Sequence, residues 1–251
     1  MKIVVIGGSG LIGSKLVNKL RQLDHTVIAA SPDSGINTIT GQGLGGAITG
    51  AEIVVDVSNS PSFEDDAVMD FFKRSTMNLL ATGVYAGVKH HVVLSIVGAD
   101  RLPNSGYLRA KVAQEELVKL SGIPYSLLRS TQFFEFADRM VKSATHGNEV
   151  HISPAKFQPI ASDETVSVLT EIVIGKPTNS IVEVAGPVRM QMSEFIRYYL
   201  NSTEDSRQLV VDEHALYFGT ELNDESLVPG ENPRLGKMKY EDWFKTQLIK
   251  N

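Results

Sequence analysis

An α/β fold built on a parallel sheet is expected from three observations. Short β-branched apolar runs alternate with helix-periodic stretches through the first half of the chain. The first of these runs, Ile3 to Ile6, is apolar throughout, as a strand covered on both faces requires. A glycine turn, Gly7-Gly8-Ser9-Gly10-Leu11-Ile12-Gly13, joins the first run to the first helical stretch.

In order, Ile3 to Ile6 reads as a buried strand. Leu11, Ile12, Leu16, Leu20 and Leu23 recur at helical spacing and predict a helix from 11 to 23. Thr26 to Ala30 is the second strand and Ile53 to Val57 the third. The glycine-rich stretch Gly41 to Gly46 between them reads as a loop. Glu64-Asp65-Asp66 reads as a solvated helix start, with the helix itself expected from Phe71 to Gly87. His91 to Ser95 is the fourth strand. Tyr107 to Leu120 is a helix stopped by Ser121-Gly122, and Tyr125 to Leu128 is the fifth strand. Beyond Arg129 the alternation weakens: helices are expected at 133–144 and 162–174, strands at 150–152 and 181–184, and helical stretches among polar loops from Met192. This divides the chain into a first domain, 1–130, with segments around 155–185 as candidates to rejoin its sheet, and a smaller lobe, mainly 131–251.

The glycine turn carries the first chemistry. It follows a strand and opens a helix, the context that gives such a motif its meaning. Gly7 allows the tight turn, Gly10 lets a pyrophosphate approach the backbone, and Gly13 lets helix and strand pack closely. The backbone from Gly7 through Ser9, Gly10, Leu11, Ile12 and Gly13 would then hold the phosphates at the positive end of the helix dipole. This predicts a Rossmann-type sheet with helices on both faces, binding a nicotinamide dinucleotide. The second strand ends Ala29-Ala30-Ser31-Pro32-Asp33, with no acid where ribose hydroxyls are usually held. That absence leans toward NADP over NAD, with Ser31 as the candidate contact to a 2′-phosphate. No arginine stands beside it, which weighs the other way. Asn59 and Ser60, after the third strand, are candidates for the adenine-side ribose.

Composition narrows the function. The net charge is −5 and no basic cluster is present, so nucleic-acid binding is not expected. The chain has no cysteine, which removes disulfides, thiolate nucleophiles and the common zinc sites, and no metal is expected. No apolar run approaches the roughly 20 residues of a membrane span, and the N-terminus lacks a signal-peptide pattern, so a cytoplasmic protein is expected. His90-His91 makes a poor chelate, because neighbouring strand residues point to opposite faces; a structural role is expected.

Several stretches in order resemble the short-chain dehydrogenase/reductase superfamily, in its atypical branch related to the NmrA-like proteins. They are Gly7-x-x-Gly10-x-x-Gly13, Val92-Val93-Leu94-Ser95, Tyr107-Leu108-Arg109-Ala110-Lys111 and Ile123-Pro124-Tyr125-Ser126-Leu127-Leu128-Arg129. Gln158-Pro159-Ile160-Ala161-x-Asp163 and Val184-Ala185-Gly186-Pro187 extend the likeness to about residue 190. The resemblance implies a serine, tyrosine and lysine acting together. Tyr107 would be the general acid that protonates a carbonyl oxygen as hydride arrives. Lys111 would stabilise its phenolate and hold the nicotinamide ribose, and Ser95 would orient the substrate oxygen. A second tyrosine-x-x-x-lysine match, Tyr85 to Lys89, is read as chance, since Gly87 points to a helix end there. Thr131, Gln132 and Phe133 are expected to border the substrate. The expected function is an NAD(P)H-dependent reductase of a quinone or other small carbonyl compound. The alternative is a non-catalytic NAD(P)-sensing regulator acting through a protein partner. A nucleotide-sugar epimerase is a third possibility, for which the chain is short.

Overall fold

The computed structural model of the chain describes residues 1–248. They fall into two compact units: Met1–Arg129 with Val166–Val182, and Ser130–Thr165 with the chain from Glu183 onward. The chain runs β1 (Lys2–Ile6), α1 (Leu11–Gln22), β2 (Thr26–Ala30), α2 (Leu44–Ile48), β3 (Ile53–Asp56), α3 (Asp65–Ala86), β4 (His90–Ile96), α4 (Gly106–Leu120) and β5 (Tyr125–Ser130). It continues through α5 (Ala137–Ser143), β6 (Thr145–His146), β7 (Glu149–Ile152), β8 (Lys156–Phe157), α6 (Ser162–Ile174) and β9 (Ile181–Ala185). β10 (Met190–Gln191), α7 (Met192–Ser202), β11 (Gln208–Val211), β12 (Arg234–Leu235) and α8 (Tyr240–Leu248) follow.

Seven strands form one parallel sheet in the order β12-β9-β5-β4-β3-β1-β2. The order reverses at β1, which has β2 on one side and β3 on the other. In open parallel sheets that reversal, beyond the carboxyl ends of the strands, is where ligands sit. The glycine turn leaves β1 at that point.

Strand residues alternate between the two faces, so the register sorts the core. Val4, Ile6, Val54, Val93 and Leu127 share one face and pack with Leu44 and Ile48 of α2, Leu79 and Leu80 of α3 and Val118 of α4. Asp56, His91, Ser95 and Arg129 lie on that same face in phase with these residues, so the alternation buries four polar side chains on the α3–α4 side of the sheet.

α3 begins at Asp65, at the acidic helix start expected over 64–66, where Asp65 and Asp66 in its first turn suit the helix dipole. One sequence expectation differs. The helix expected from 133 to 144 is reduced to a single 3₁₀ turn and the short α5. Gln132 and Phe134 exchange backbone hydrogen bonds with Ile160, 2.9 Å each, and this holds Phe133 extended.

In the second unit, β8 pairs antiparallel with β10, and β11, β7 and β6 form a small sheet. Its core is aromatic: Phe134, Phe157, Phe195, Tyr240 and Phe244 are buried, and the rings of Phe195 and Tyr240 stand 4.1 Å apart. No described helix is long and apolar enough to cross a membrane.

Candidate cofactor and active site

The phosphate turn is made of backbone. Gly7 has a φ of +78°, and its N–H and that of Gly8 donate to the carbonyl of Ala30 at 2.9 and 3.2 Å, tying the turn to the end of β2. A Cβ on Gly7 would lie 2.8 Å from the Cα of Ser58, just past β3. A Cβ on Gly13 would lie 2.0 Å from the Gly7 carbonyl oxygen, so only glycine allows α1 to start this close to the turn. Gly8, which the sequence argument passed over, is as constrained: its Cβ would meet Ala29 Cα at 2.7 Å. Gly10 is the N-cap of α1, and no side chain caps the helix there. Ser9, Gly10 and Leu11 are exposed, while Ile12 and Gly13 are buried. The result is an open helix N-terminus at the strand reversal whose first N–H groups have no intrahelical partner. These residues fit a dinucleotide pyrophosphate.

Ser31 follows β2 as expected. Its backbone is folded into a turn in which its N–H donates to Ser34 Oγ at 2.9 Å and its carbonyl accepts from the same hydroxyl at 2.8 Å. Asp33 is exposed in that turn.

The residues around Tyr107 rest on a polar layer between the sheet and α4. Asp56, 1% exposed at the end of β3, accepts from Ser58 N–H and Oγ at 2.9 and 2.6 Å and from Gln114 Nε2 at 2.8 Å. The Oε1 of Gln114 accepts from Lys111, whose ammonium also donates to the Leu94 carbonyl at 2.9 Å. That ammonium sits 4.5 Å from the ring centroid of Phe72. Burial pulls the Lys111 pKa down from 10.5 to about 8, although the Asp56 and Glu115 carboxylates work to raise it.

Tyr107, in the first turn of α4, is half-buried beside Phe63 and Phe72, with ring centroids 5.4 and 6.1 Å away. Its hydroxyl donates to Asn59 Oδ1 at 3.0 Å. Gly106 just before it allows the Asp65 carboxylate to pack against α4, and Asp65 pairs with Arg109 at 2.7 Å. In the second tyrosine-lysine match, Tyr85 is 94% exposed at the end of α3, where Gly87 caps the helix as expected.

The structure turns Ser95 and Lys111 inward. Ser95 points into the protein and donates to Glu115 Oε1 at 2.6 Å, because strand alternation puts it in phase with His91 and Asp56. Glu115 is itself paired with Arg129, 2.9 Å at Nε and 2.7 Å at Nη2, and Arg129 reaches Asp100 at 2.8 Å. Lys111 is 3% exposed, and its ammonium is occupied by a carbonyl, an amide and a ring face rather than turned outward to a ribose. Asn59 meets Tyr107. Ser60 is buried, and its Oγ accepts from Ser62 N–H at 3.3 Å.

Thr131, Gln132 and Phe133 belong to the second unit. Thr131 and Gln132 are buried, and Thr131 Oγ1 and both polar atoms of the Gln132 side chain lack hydrogen-bond partners. Unsatisfied buried polar atoms are rare enough to need a reason, and a ligand is one. Phe133 is 8% exposed and packs 5.3 Å from Phe136.

Sequence reasoning missed Gln114, Glu115, Arg129 and Phe72. Gln114 and Glu115 lie one helical turn past Lys111, a spacing that puts them beside it on α4.

No family model matches the chain. Among curated proteins, it is 22% identical over 149 residues to the photosystem II assembly factor Ycf39 of Synechocystis sp., a stretch covering 54% of this chain and 46% of that one. The chain therefore spans about half the length of the curated relatives it matches. Among solved structures, it resembles a dTDP-4-dehydrorhamnose reductase from Clostridium acetobutylicum, with a TM-score of 0.76, 13% identity and full coverage of both chains. It also resembles an NADPH-dependent quinone oxidoreductase from Escherichia coli, with a TM-score of 0.61, 16% identity and coverage of 85% and 78%. The chain has the Rossmann-type fold found in structures of the short-chain dehydrogenase/reductase superfamily.

Proposed function

We propose that the chain is an NAD(P)H-dependent reductase of a quinone or other small carbonyl compound, of the NmrA-like branch, working in the cytoplasm. The observation that carries this reading is Tyr107: a half-buried phenol in the first turn of α4, one helical turn ahead of a buried lysine and in the same unit as the open glycine turn. The glycine turn and the N-terminus of α1 would hold the dinucleotide phosphates, and Ser31 would face the adenine-side ribose. NADP is favoured, because no acid at the end of β2 repels a 2′-phosphate. When bound, the cofactor supplies hydride. Tyr107 supplies the proton: its O–H bond breaks as the carbonyl oxygen takes the proton, leaving a phenolate. Lys111 favours that anion through space, its charge held in place by Gln114 and the Leu94 carbonyl. Ser95 acts on the same helix indirectly, through Glu115. Within the second unit, Thr131 and Gln132 are candidates to bind a polar ligand group, which would satisfy their unpartnered atoms.

Replacing Tyr107 by Phe tests the assignment. Turnover on a panel of quinones and carbonyl compounds should fall by at least about a hundredfold, with dissociation constants for NADPH and NADH within about twofold of wild type. Turnover at the wild-type rate would end the assignment.

A second reading has its own support. The burial of Lys111 and Ser95 also suits a cofactor-binding protein that does no chemistry. Ycf39 is named as an assembly factor, so a protein-binding role is the natural alternative. Its mark would be strong preference for one redox form of the cofactor and no turnover on any panel member.

A further inference from the structure

Buried polar side chains of the second unit are for the most part answered from within it. Ser130 and Thr165 share a hydrogen bond of 3.0 Å, Ser153 Oγ accepts from the Ala155 N–H at 3.1 Å, and Ser226 donates to Asn223 at 3.1 Å. Among the described residues of this unit, five buried side-chain atoms have no hydrogen-bond partner. Glu164 Oε2 and the Tyr240 hydroxyl stand singly, while Thr131 Oγ1 and Gln132 Oε1 and Nε2 lie on consecutive residues. Glu164 has its second oxygen bonded to the Met238 N–H at 3.1 Å, whereas the Gln132 carboxamide is unpartnered at both ends. The backbone beneath it is fixed: the Thr131 N–H donates to the Val184 carbonyl at 3.0 Å, and the Gln132 carbonyl accepts from the Ile160 N–H at 2.9 Å. The segment is thus held in place without using either side chain.

We propose that Gln132 reads an amide edge, so that the second unit binds a cyclic amide or imide whose N–H donates to Oε1 while its adjoining carbonyl accepts from Nε2. This names a ligand class for the site offered above to a polar group, and it is independent of the role of Tyr107. A carboxamide presents an acceptor and a donor side by side. A ketone, a quinone or a carboxylate only accepts, and would leave Oε1 unpaired. A single hydroxyl or water reaches both ends only through two bent bonds to one oxygen. An N–H beside a carbonyl on one edge of a ring answers both through two parallel bonds. Glutamine reads the donor–acceptor edge of adenine by the same pairing. Gln132 is 6% exposed, so the pair would form away from water, where a hydrogen bond left unmade is costly.

The test uses the full chain with ¹⁵N-labelled glutamine side chains, Gln132→Leu identifying the Gln132 amide resonance. It is titrated with phthalimide and with indole-2,3-dione, each against its N-methyl derivative. Both N–H compounds should move the Gln132 resonance and bind at least about tenfold more tightly than their N-methyl partners. Gln132→Leu and Gln132→Met should lose that preference. Having shed two unpaired polar atoms, they should also unfold at a denaturant midpoint no lower than wild type. Equal binding of each pair by the wild-type chain, or no binding, overturns the proposal and leaves ordered water as the answer to Gln132. A preference that survives in both variants overturns it as well. So does a tenfold loss of NADPH and NADH affinity in them with the preference unchanged, which would make Gln132 a cofactor contact. Turnover of amide-free quinones with no preference for the N–H compounds keeps the reductase reading and ends this one. The preference in a chain that turns over nothing does the reverse.

Discussion

The glycine turn after β1 and the polar layer under α4 lie in the same unit, yet they are built from different material. The turn is backbone: it works because Gly7, Gly8 and Gly13 have no Cβ, and a Cβ on any of them would come within 3.0 Å of a neighbouring atom. The layer is side chain: Asp56, Ser95, Lys111, Gln114, Glu115 and Arg129 are all buried and satisfy one another. The turn takes its shape from seven consecutive residues, Gly7 to Gly13, and the N–H groups at the start of α1 stay open to a ligand. The layer draws residues from β3, β4, α4 and β5, and its polar groups are spent internally. Binding is therefore concentrated in the first, and the fixing of α4 with Tyr107 in the second.

Breaking the layer should have the largest effect on stability. Glu115→Ala leaves the Arg129 guanidinium buried without its main partner and strips Ser95 of its acceptor. A loss of about 3–5 kcal/mol is expected, read as a fall in the denaturant midpoint. The exposed Arg109–Asp65 pair, by contrast, should contribute under about 1 kcal/mol. If Glu115→Ala unfolds at the wild-type midpoint, the layer is not what holds α4.

A smaller effect comes from His91, on the same face of the sheet but outside the hydrogen-bonded layer. It is fully buried, neither ring nitrogen has a partner, and burial lowers its pKa from 6.5 to about 4, with Asp56 opposing. His90, bonded to Ser126 at 2.8 Å, is likewise lowered to about 4 by burial and by His91. A histidine kept neutral in the fold takes up protons first in the unfolded chain, so stability present above pH 6.5 is lost as pH falls toward about 4. His91→Leu should flatten that limb in a pH series of urea midpoints. The turn, which has no titrating side chain, should contribute no slope in this window.

The contrast between the two regions also explains what could be read in advance. The turn was legible because its signal is local, and the alternation of strands and helices placed β1 to β5 and α6 close to where they lie. α2 was not, since Gly45 and Gly46 are poor helix formers and its five residues are held by Leu44 and Ile48 in the core. Strands of two to four residues such as β8, β10, β11 and β12 owe their existence to partners distant in sequence. The pairs that join different elements in the layer are separated by 14 to 58 residues, as in Arg129–Glu115 and Gln114–Asp56, so no motif announces them. Ser95 shows the boundary most clearly. Its place at the end of β4 was readable, but its direction needed the register of the sheet, which puts it in phase with Asp56 and His91 and aims it at Glu115.

The central claim is that the turn holds a nicotinamide dinucleotide. It is tested most directly by titrating the wild-type chain and Gly13→Ala with NADPH, NADP, NADH and NAD, followed by nucleotide and protein fluorescence. The wild-type chain should bind in the micromolar range and favour the NADP pair. Gly13→Ala, whose new methyl group collides with the Gly7 carbonyl at a cost of about 1–3 kcal/mol in stability, should stay folded and bind at least about tenfold more weakly. Binding of none of the four nucleotides by the wild-type chain, or equal binding by Gly13→Ala, would contradict the claim.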